Sequence, residues 1–269
     1  MRLVVTGAAG NMGLLLRPRL ARPGRTLRLV DITEQPPAGP DEAVELVTAS
    51  VTDPDAMASV CAGADALLHL GGLSLEAPWL EILAVNIDGT HTVLEAARQA
   101  GVRRIILASS NHSVGYYRRA EVPPGGLPAD VPVRPDTYYG VSKAAVEALG
   151  RLYHDRFGLD VICIRIGSCF ETPGSVRGLS TWMSPDDGAR LIEAALSVPS
   201  PGYRMVWGIS RNTRRWWTLA EGEAIGYHPV DDSEKFAAEY LNGSQPDLSD
   251  PELALLGGRF ITVPLGSRM

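Results

Sequence analysis

The chain has 269 residues, 45% of them hydrophobic, enough to bury a substantial core, and α/β folds of this length commonly form one structural unit. A net charge of −6, with arginines scattered along the chain, argues against a nucleic-acid groove, and no apolar run approaches the roughly 20 residues of a membrane span. No signal peptide is read ahead of the first strand, so the expectation is a cytoplasmic protein that binds neither membrane nor nucleic acid.

Arg2 to Thr6 form a short run rich in β-branched residues, and Gly7-Ala8-Ala9-Gly10-Asn11-Met12-Gly13 follows at once, leading into Leu14-Leu15-Leu16. This reads as strand, tight glycine turn and helix. Glycines let the backbone approach a pyrophosphate, and the free amides at the helix start face its charge. Pro18 predicts that this first helix is bent or starts late. A second strand, Leu27 to Val30, ends in Asp31, whose carboxylate can accept both ribose hydroxyls of an adenosine. The same charge selects NAD over NADP. A 2′-phosphate about 4 Å from it meets a repulsion of roughly 4 kcal/mol, and Ile32 and Thr33 offer no arginine to offset it.

A Pro-rich stretch from Glu34 to Pro40 precedes a third strand, Ala43 to Thr48, and Asp53-Pro54 starts a helix. Ala66 to Leu70 reads as a fourth strand closed by Gly71-Gly72. Pro78 to Ala100 has helical periodicity and ends at Gly101 as its C-cap, and Arg103 to Ser109 is the next strand. Strands alternating with such helices predict a doubly wound, Rossmann-type α/β fold with a parallel sheet, ligands binding beyond the carboxyl ends of its strands. That rule places Gly71-Gly72-Leu73-Ser74 and Ser109-Ser110-Asn111-His112 on the same rim as the glycine turn.

After a proline-rich excursion from Pro123 to Pro135 comes Tyr139, four residues ahead of Lys143. A phenol is a poor base at a reference pKa of about 10, but an ammonium one helical turn away favours the phenolate and makes it a usable proton acceptor. Only two of the 25 basic residues are lysines, so this spacing does not follow from composition. Val161 to Ile166 is a sixth strand, ending in Gly167-Ser168. The remaining residues have weaker periodicity and many Trp, Pro and Gly. The expected division is a cofactor-binding domain over residues 1–170 and a small substrate-covering portion over 171–269, packed on it and not independent. Cys61, Cys163 and Cys169 have neither metal-ligand nor disulfide spacing, and the histidines form no paired metal motif, so no metal is expected.

The glycine turn, Asp31, Ser110 and the Tyr139/Lys143 pair together resemble the extended short-chain dehydrogenase/reductase superfamily. Leu70-Gly71-Gly72, Ala108 to His112, Tyr139 to Lys143, Arg165 to Cys169 and Leu179 to Trp182 are similar more narrowly to its uronate dehydrogenase family, and the likeness extends through Val206-Trp207-Gly208 to Trp216-Trp217. The resemblance implies NAD-dependent oxidation of C1 of D-glucuronate or D-galacturonate to an aldarolactone. Tyr139 would take the hydroxyl proton, Lys143 would lower its pKa and contact the nicotinamide ribose, and Ser110 would bond the reacting oxygen. Cofactor contacts are implied for Gly7, Gly10, Asn11, Met12, Gly13, Asp31, Ile32, Leu70, Gly71, Gly72, Ser109 and Ile166. Ser50-Val51, at the place where relatives commonly carry an aspartate for the adenine amino group, and Asn86, a candidate polar tie of the active-site loop, are counted among the implied cofactor contacts as well, as are Tyr139 and Lys143. Ser74, Asn111, His112 and Ser168 match positions that bind sugar hydroxyls, and Arg177 matches an arginine that clamps the uronate carboxylate. A homo-oligomer is expected. The competing readings are a sugar-nucleotide epimerase or dehydratase of the same superfamily and a non-catalytic NAD-binding sensor. The retained Tyr139, Lys143 and Ser110 count against the sensor, and the short carboxyl-terminal region against the nucleotide-sugar enzyme.

Overall fold

Seven parallel strands run through the centre of the molecule in the order β3-β2-β1-β4-β5-β6-β9, in a computed structural model that describes residues 1–40 and 42–269. The strands are β1 (Arg2–Thr6), β2 (Thr26–Asp31), β3 (Val44–Thr48), β4 (Ala66–His69), β5 (Arg104–Ser110), β6 (Asp160–Ile166) and, late in the chain, β9 (Tyr203–Gly208). A short separate pair, β7 (Ser168–Cys169) and β8 (Trp182–Met183), lies between the last two. Side chains alternate across the sheet, so Leu3 and Val5 enter one core with Leu16, Leu20, Leu191 and Ile192, while Val4 enters the other with Met57, Leu94 and Val146. The helices of the first face are α1 (Asn11–Leu20) and α7 (Pro185–Ser197). Those of the second are α2 (Pro54–Cys61), α4 (Gly89–Gln99) and α5 (Tyr138–Phe157). Among the described residues no helix is long and apolar enough to cross a membrane.

The strand order reverses direction between β1 and β4, and there the crevice opens at the carboxyl ends. α1 does not start late: it begins directly after Gly10 and runs without a break to Leu20, with Pro18 in its last turn. Asp53 caps α2 as expected, accepting the amides of Asp55 and Ala56. The helix predicted over 78–100 is one path but not one helix. It consists of α3 (Trp79–Ile82), a wider π-helical turn (Leu83–Asp88) and α4, with Gly101 in the left-handed region just past its end. Such π turns redirect a side chain; this one carries Asn86.

Two elements that follow residue 170 belong to the sheet layers. β9 pairs with β6 from Val161↔Tyr203 to Ile166↔Gly208, and α7 packs beside α1. Of the rest of the carboxyl-terminal third, the segment from Thr172 through α6 (Gly178–Thr181) and residues between Glu252 and Phe260 reach the crevice, whereas Trp217 stacks on Trp207 of β9 at 4.4 Å in a separate cluster.

Candidate active site

A continuous cavity of about 1090 Å³ runs along the carboxyl ends of the strands from the glycine turn to the carboxyl-terminal third. At one end Gly7 adopts φ +71°, and a Cβ there would fall 2.7 Å from Gly71 N, because the ends of β1 and β4 meet at this point. A Cβ on Gly13 would fall 2.5 Å from Ala8 O, so only glycine lets α1 pack onto its own turn. The first turn of α1 holds no acidic residue and Gly10 offers no capping side chain, so the amides of Asn11, Met12 and Gly13 remain available to an anion. The Asp31 carboxylate accepts the amides of Ala9 (2.9 Å) and Thr33 (3.0 Å), which fixes it on the cavity wall with lone pairs to spare for a diol. These residues fit a dinucleotide: a bare helix end for its phosphates, an oriented carboxylate for its ribose. Ile32, Ser50, Val51, Leu70, Gly71, Gly72, Ser109 and Ile166 line the same cavity. Ser50 Oγ is engaged with Thr52 Oγ1 at 2.7 Å, and Asn11 Nδ2 donates to Cys169 O at 3.0 Å.

Asn86 does not reach the cavity. Its Oδ1 accepts Leu73 N (2.7 Å), and its Nδ2 donates to Leu73 O (3.0 Å) and Ser142 Oγ (2.9 Å), tying the loop after β4 to α5. It is the polar tie of that loop, and no cofactor contact comes from its side chain in this arrangement.

Tyr139 and Lys143 sit on the first two turns of α5, whose N-cap is Thr137. Both are buried and both line the cavity, together with Ser110 and His112. The expectation that Lys143 depresses the Tyr139 pKa is not met. Burial pushes the phenol up to about 12; a hydrogen bond from Ser110 works the other way, and the charge of Asp136 adds to the rise. Lys143 is itself pulled down to about 8 by burial, opposed by the Glu147 carboxylate, and its Nζ donates to Ala108 O at 2.8 Å. Desolvation outweighs the ammonium because Nζ lies 5.5 Å from the phenol ring centroid and is turned to a carbonyl. Ser110 Oγ accepts the amide of His112 at 3.2 Å, and its own hydroxyl is within reach of the Tyr139 phenol on the cavity wall.

At the far end the cavity is lined by Ser74, Ser168 and Arg177. Ser168 Oγ lies 3.2 Å from Thr181 Oγ1. One terminal nitrogen of Arg177 donates to Leu256 O, whereas its Nε is buried without a partner; burial lowers its pKa to about 10, against the pull of Asp136 and Glu252. Asn111 is fully buried and, like Asn86, is absent from the cavity wall: its Nδ2 donates to Leu256 O at 2.9 Å. Cys169 lines the cavity, but burial pushes its thiol up to about 12, which suits packing and not nucleophilic chemistry.

Several residues here have no counterpart in the sequence reading. Glu76 is buried and accepts the amide of Tyr139 (2.9 Å) and that of Gly266 (2.8 Å). Glu147, one turn beyond Lys143, pairs with the buried Arg165 through bonds of 2.8 Å and 2.8 Å and also accepts Ser109 Oγ. The Tyr139-Lys143-Glu147 stripe at helical spacing was a usable signal for it. Asp136, Arg259 and Phe260 carry no such local pattern. Among the described residues no cluster of His, Cys, Asp or Glu is arranged to hold a metal ion.

Residues 3–215 match the NAD dependent epimerase/dehydratase family. The chain is 42% identical over 99% of its length to a uronate dehydrogenase of Pseudomonas syringae pv. tomato, 96% of which is covered. Among solved structures it is similar to a mutant uronate dehydrogenase from Agrobacterium tumefaciens complexed with NAD, at 43% identity and a TM-score of 0.91, covering 98% of each chain. It is similar also to a glucuronic acid dehydrogenase from Chromohalobacter salexigens, at 39% identity and a TM-score of 0.92, again over 98% of each.

Proposed function

The chain belongs to the NAD dependent epimerase/dehydratase family and, within it, to the uronate dehydrogenases, and from that membership we infer that it oxidises hexuronates at C1 with NAD. One observation carries the reading: Tyr139, Ser110 and Lys143 share a cavity with a bare helix end and Asp31 at one side and the half-free guanidinium of Arg177 at the other. NAD, when bound, supplies the hydride acceptor. The amides of Asn11, Met12 and Gly13 hold its pyrophosphate, Asp31 its adenosine ribose, and Lys143 its nicotinamide ribose. Arg177 takes the uronate carboxylate with the donors it does not spend on Leu256, and Ser74, His112 and Ser168 bind hydroxyls. Ser110 donates to the C1 oxygen, and Tyr139 accepts the C1 hydroxyl proton as the hydride leaves C1, which yields a lactone and a reduced nicotinamide. Burial raises the phenol pKa in the ligand-free protein, and the positive charge of the oxidised nicotinamide ring, when NAD is bound, would act against that rise.

In this reading residues 171–269, apart from α7 and β9, cover the substrate, and the protein is a cytoplasmic homo-oligomer. The epimerase and sensor alternatives have less support, because the relatives matched almost end to end carry dehydrogenase names. The test is reduced-nicotinamide absorbance on mixing protein with glucuronate or galacturonate, NAD and NADP being supplied separately. NADH formation with either uronate, and little with NADP or neutral aldoses, is expected; silence with both uronates would overturn the substrate assignment.

A further inference from the structure

His112 lines the substrate side of the cavity, with the Phe260 ring stacked on it at 3.9 Å and Tyr139 edge-on at 5.7 Å. A neutral imidazole donates from one nitrogen and accepts at the other, so its tautomer decides what it offers a sugar hydroxyl. Behind the ring, Asp136 Oδ2 lies 2.7 Å from Nδ1, its side chain wholly enclosed.

Three glycines from distant segments close around that carboxylate. A Cβ on Gly115 or on Gly257 would fall 2.0 Å from Asp136 Oδ2, and one on Gly140 would fall 2.9 Å from Oδ1. The carboxylate therefore cannot swing away from the ring. Its second oxygen is committed as well: the Gly140 amide donates to Thr137 Oγ1 (3.0 Å), so the threonine proton goes to Asp136 Oδ1 (2.9 Å). Every donor in this chain is determined, and a carboxylate offers only acceptors, which leaves the proton on Nδ1 of His112. Among the described residues Nε2 has no hydrogen-bond partner in the protein. The arrangement has a cost, since the Asp136 charge raises the pKa of the neighbouring phenol, against the need of a base.

We propose that Asp136 is a positioning residue for the uronate reaction: it holds His112 as the Nδ1–H tautomer, so that Nε2 faces the cavity as a fixed acceptor for a sugar hydroxyl. The proposal rests on the substrate reading above for its sugar, but not for its tautomer.

The test combines long-range ¹H–¹⁵N NMR of the histidine rings of the full chain with kinetics of Asp136→Asn. His112→Gln identifies the His112 signals. At a pH where the ring is neutral the wild type is expected to show Nδ1–H. In Asp136→Asn the Thr137 hydroxyl keeps the amide oxygen and turns the NH₂ toward Nδ1, so the tautomer flips to Nε2–H. The uronate KM then rises by about tenfold, the loss of one hydrogen bond, while the NAD KM stays within about twofold. A structural role alone would move both constants and leave the tautomer as it was. Nε2–H in the wild type, which needs no variant to fold, or an unchanged uronate KM in Asp136→Asn, would overturn the proposal. A wild type that shows Nδ1–H and the predicted flip but oxidises no uronate would uphold the positioning and remove only the substrate reading.

Discussion

The dinucleotide end of the cavity and its substrate end are built by different means. The first is backbone from one stretch of chain: the turn from Gly7 to Gly13 and the end of β2, with Asp31 held by two amides of the same unit. The second is side chains brought together from the loop after β4, the end of β5, the start of α5, the β7–α6 region and residues 256–260. Peptide amides and glycines give the same geometry wherever the strand–turn–helix forms, so the first end depends on few side chains. The second end has no such economy. Several groups there are held by side chains or carbonyls of other elements, as Asp136 holds His112 and Leu256 O holds Arg177.

If the two ends are separable, substitutions at one leave the constants of the other alone. The largest effect is expected for Tyr139→Phe, which removes the proton acceptor while keeping the ring: kcat falls by about 10³-fold, and NAD affinity, measured by fluorescence titration, changes little. Full turnover would end the acid/base assignment, and lost NAD binding would show that the ends are coupled. Arg177→Ala comes next. Loss of a charge-assisted contact raises the uronate KM by about 100-fold with the NAD KM unchanged, and an unaltered uronate KM would take Arg177 out of the site. At the opposite end Asp31→Asn removes the charge but keeps a hydrogen-bonding group. The preference for NAD over NADP, as a ratio of kcat/KM, falls by about tenfold or more without a shift in uronate KM.

The smallest effect concerns Lys143, where the two ends meet. Its ammonium is held at about 8 against an ordinary 10.5. Between those values the unfolded chain keeps a proton that the native lysine has given up, so stability rises with pH through this window and levels off above it. Tyr139, raised instead, acts in the opposite sense only above its ordinary value of 10.0. The thiols of Cys61, Cys163 and Cys169, raised by burial, lower stability over the same range in both proteins, so urea unfolding at pH 8 and pH 9.5 should show a change in the wild type that is about 1 kcal/mol more favourable than the change in Lys143→Met. Parallel curves would mean that Lys143 is not desolvated in the native state.

Much of the fold was legible because alternating strand and helix patterns are local, and the parallel sheet follows from their order. The exceptions are instructive. Pro18 suggested a bent or late first helix, yet α1 begins directly after the glycine turn and carries the proline in its last turn, two residues before it ends. The periodicity from 78 to 100 could not show the π turn at Leu83–Asp88, because one added residue per turn barely disturbs an apolar pattern. β9 was hidden among aromatic and glycine residues, yet it completes the main sheet beside β6.

The sequence by itself determined the sheet, the phosphate-binding turn, the acidic ribose partner and the spacing of Tyr139 and Lys143, since each of these depends on residues within a turn or two of one another. Tertiary structure alone decided that burial outweighs the ammonium in setting the Tyr139 pKa, that Asn86 and Asn111 are internal ties, and that Asp136 stands behind His112. Desolvation depends on everything packed around a group, and a side-chain contact between segments more than 100 residues apart, such as Asn111 with Leu256, leaves no periodic trace in the chain.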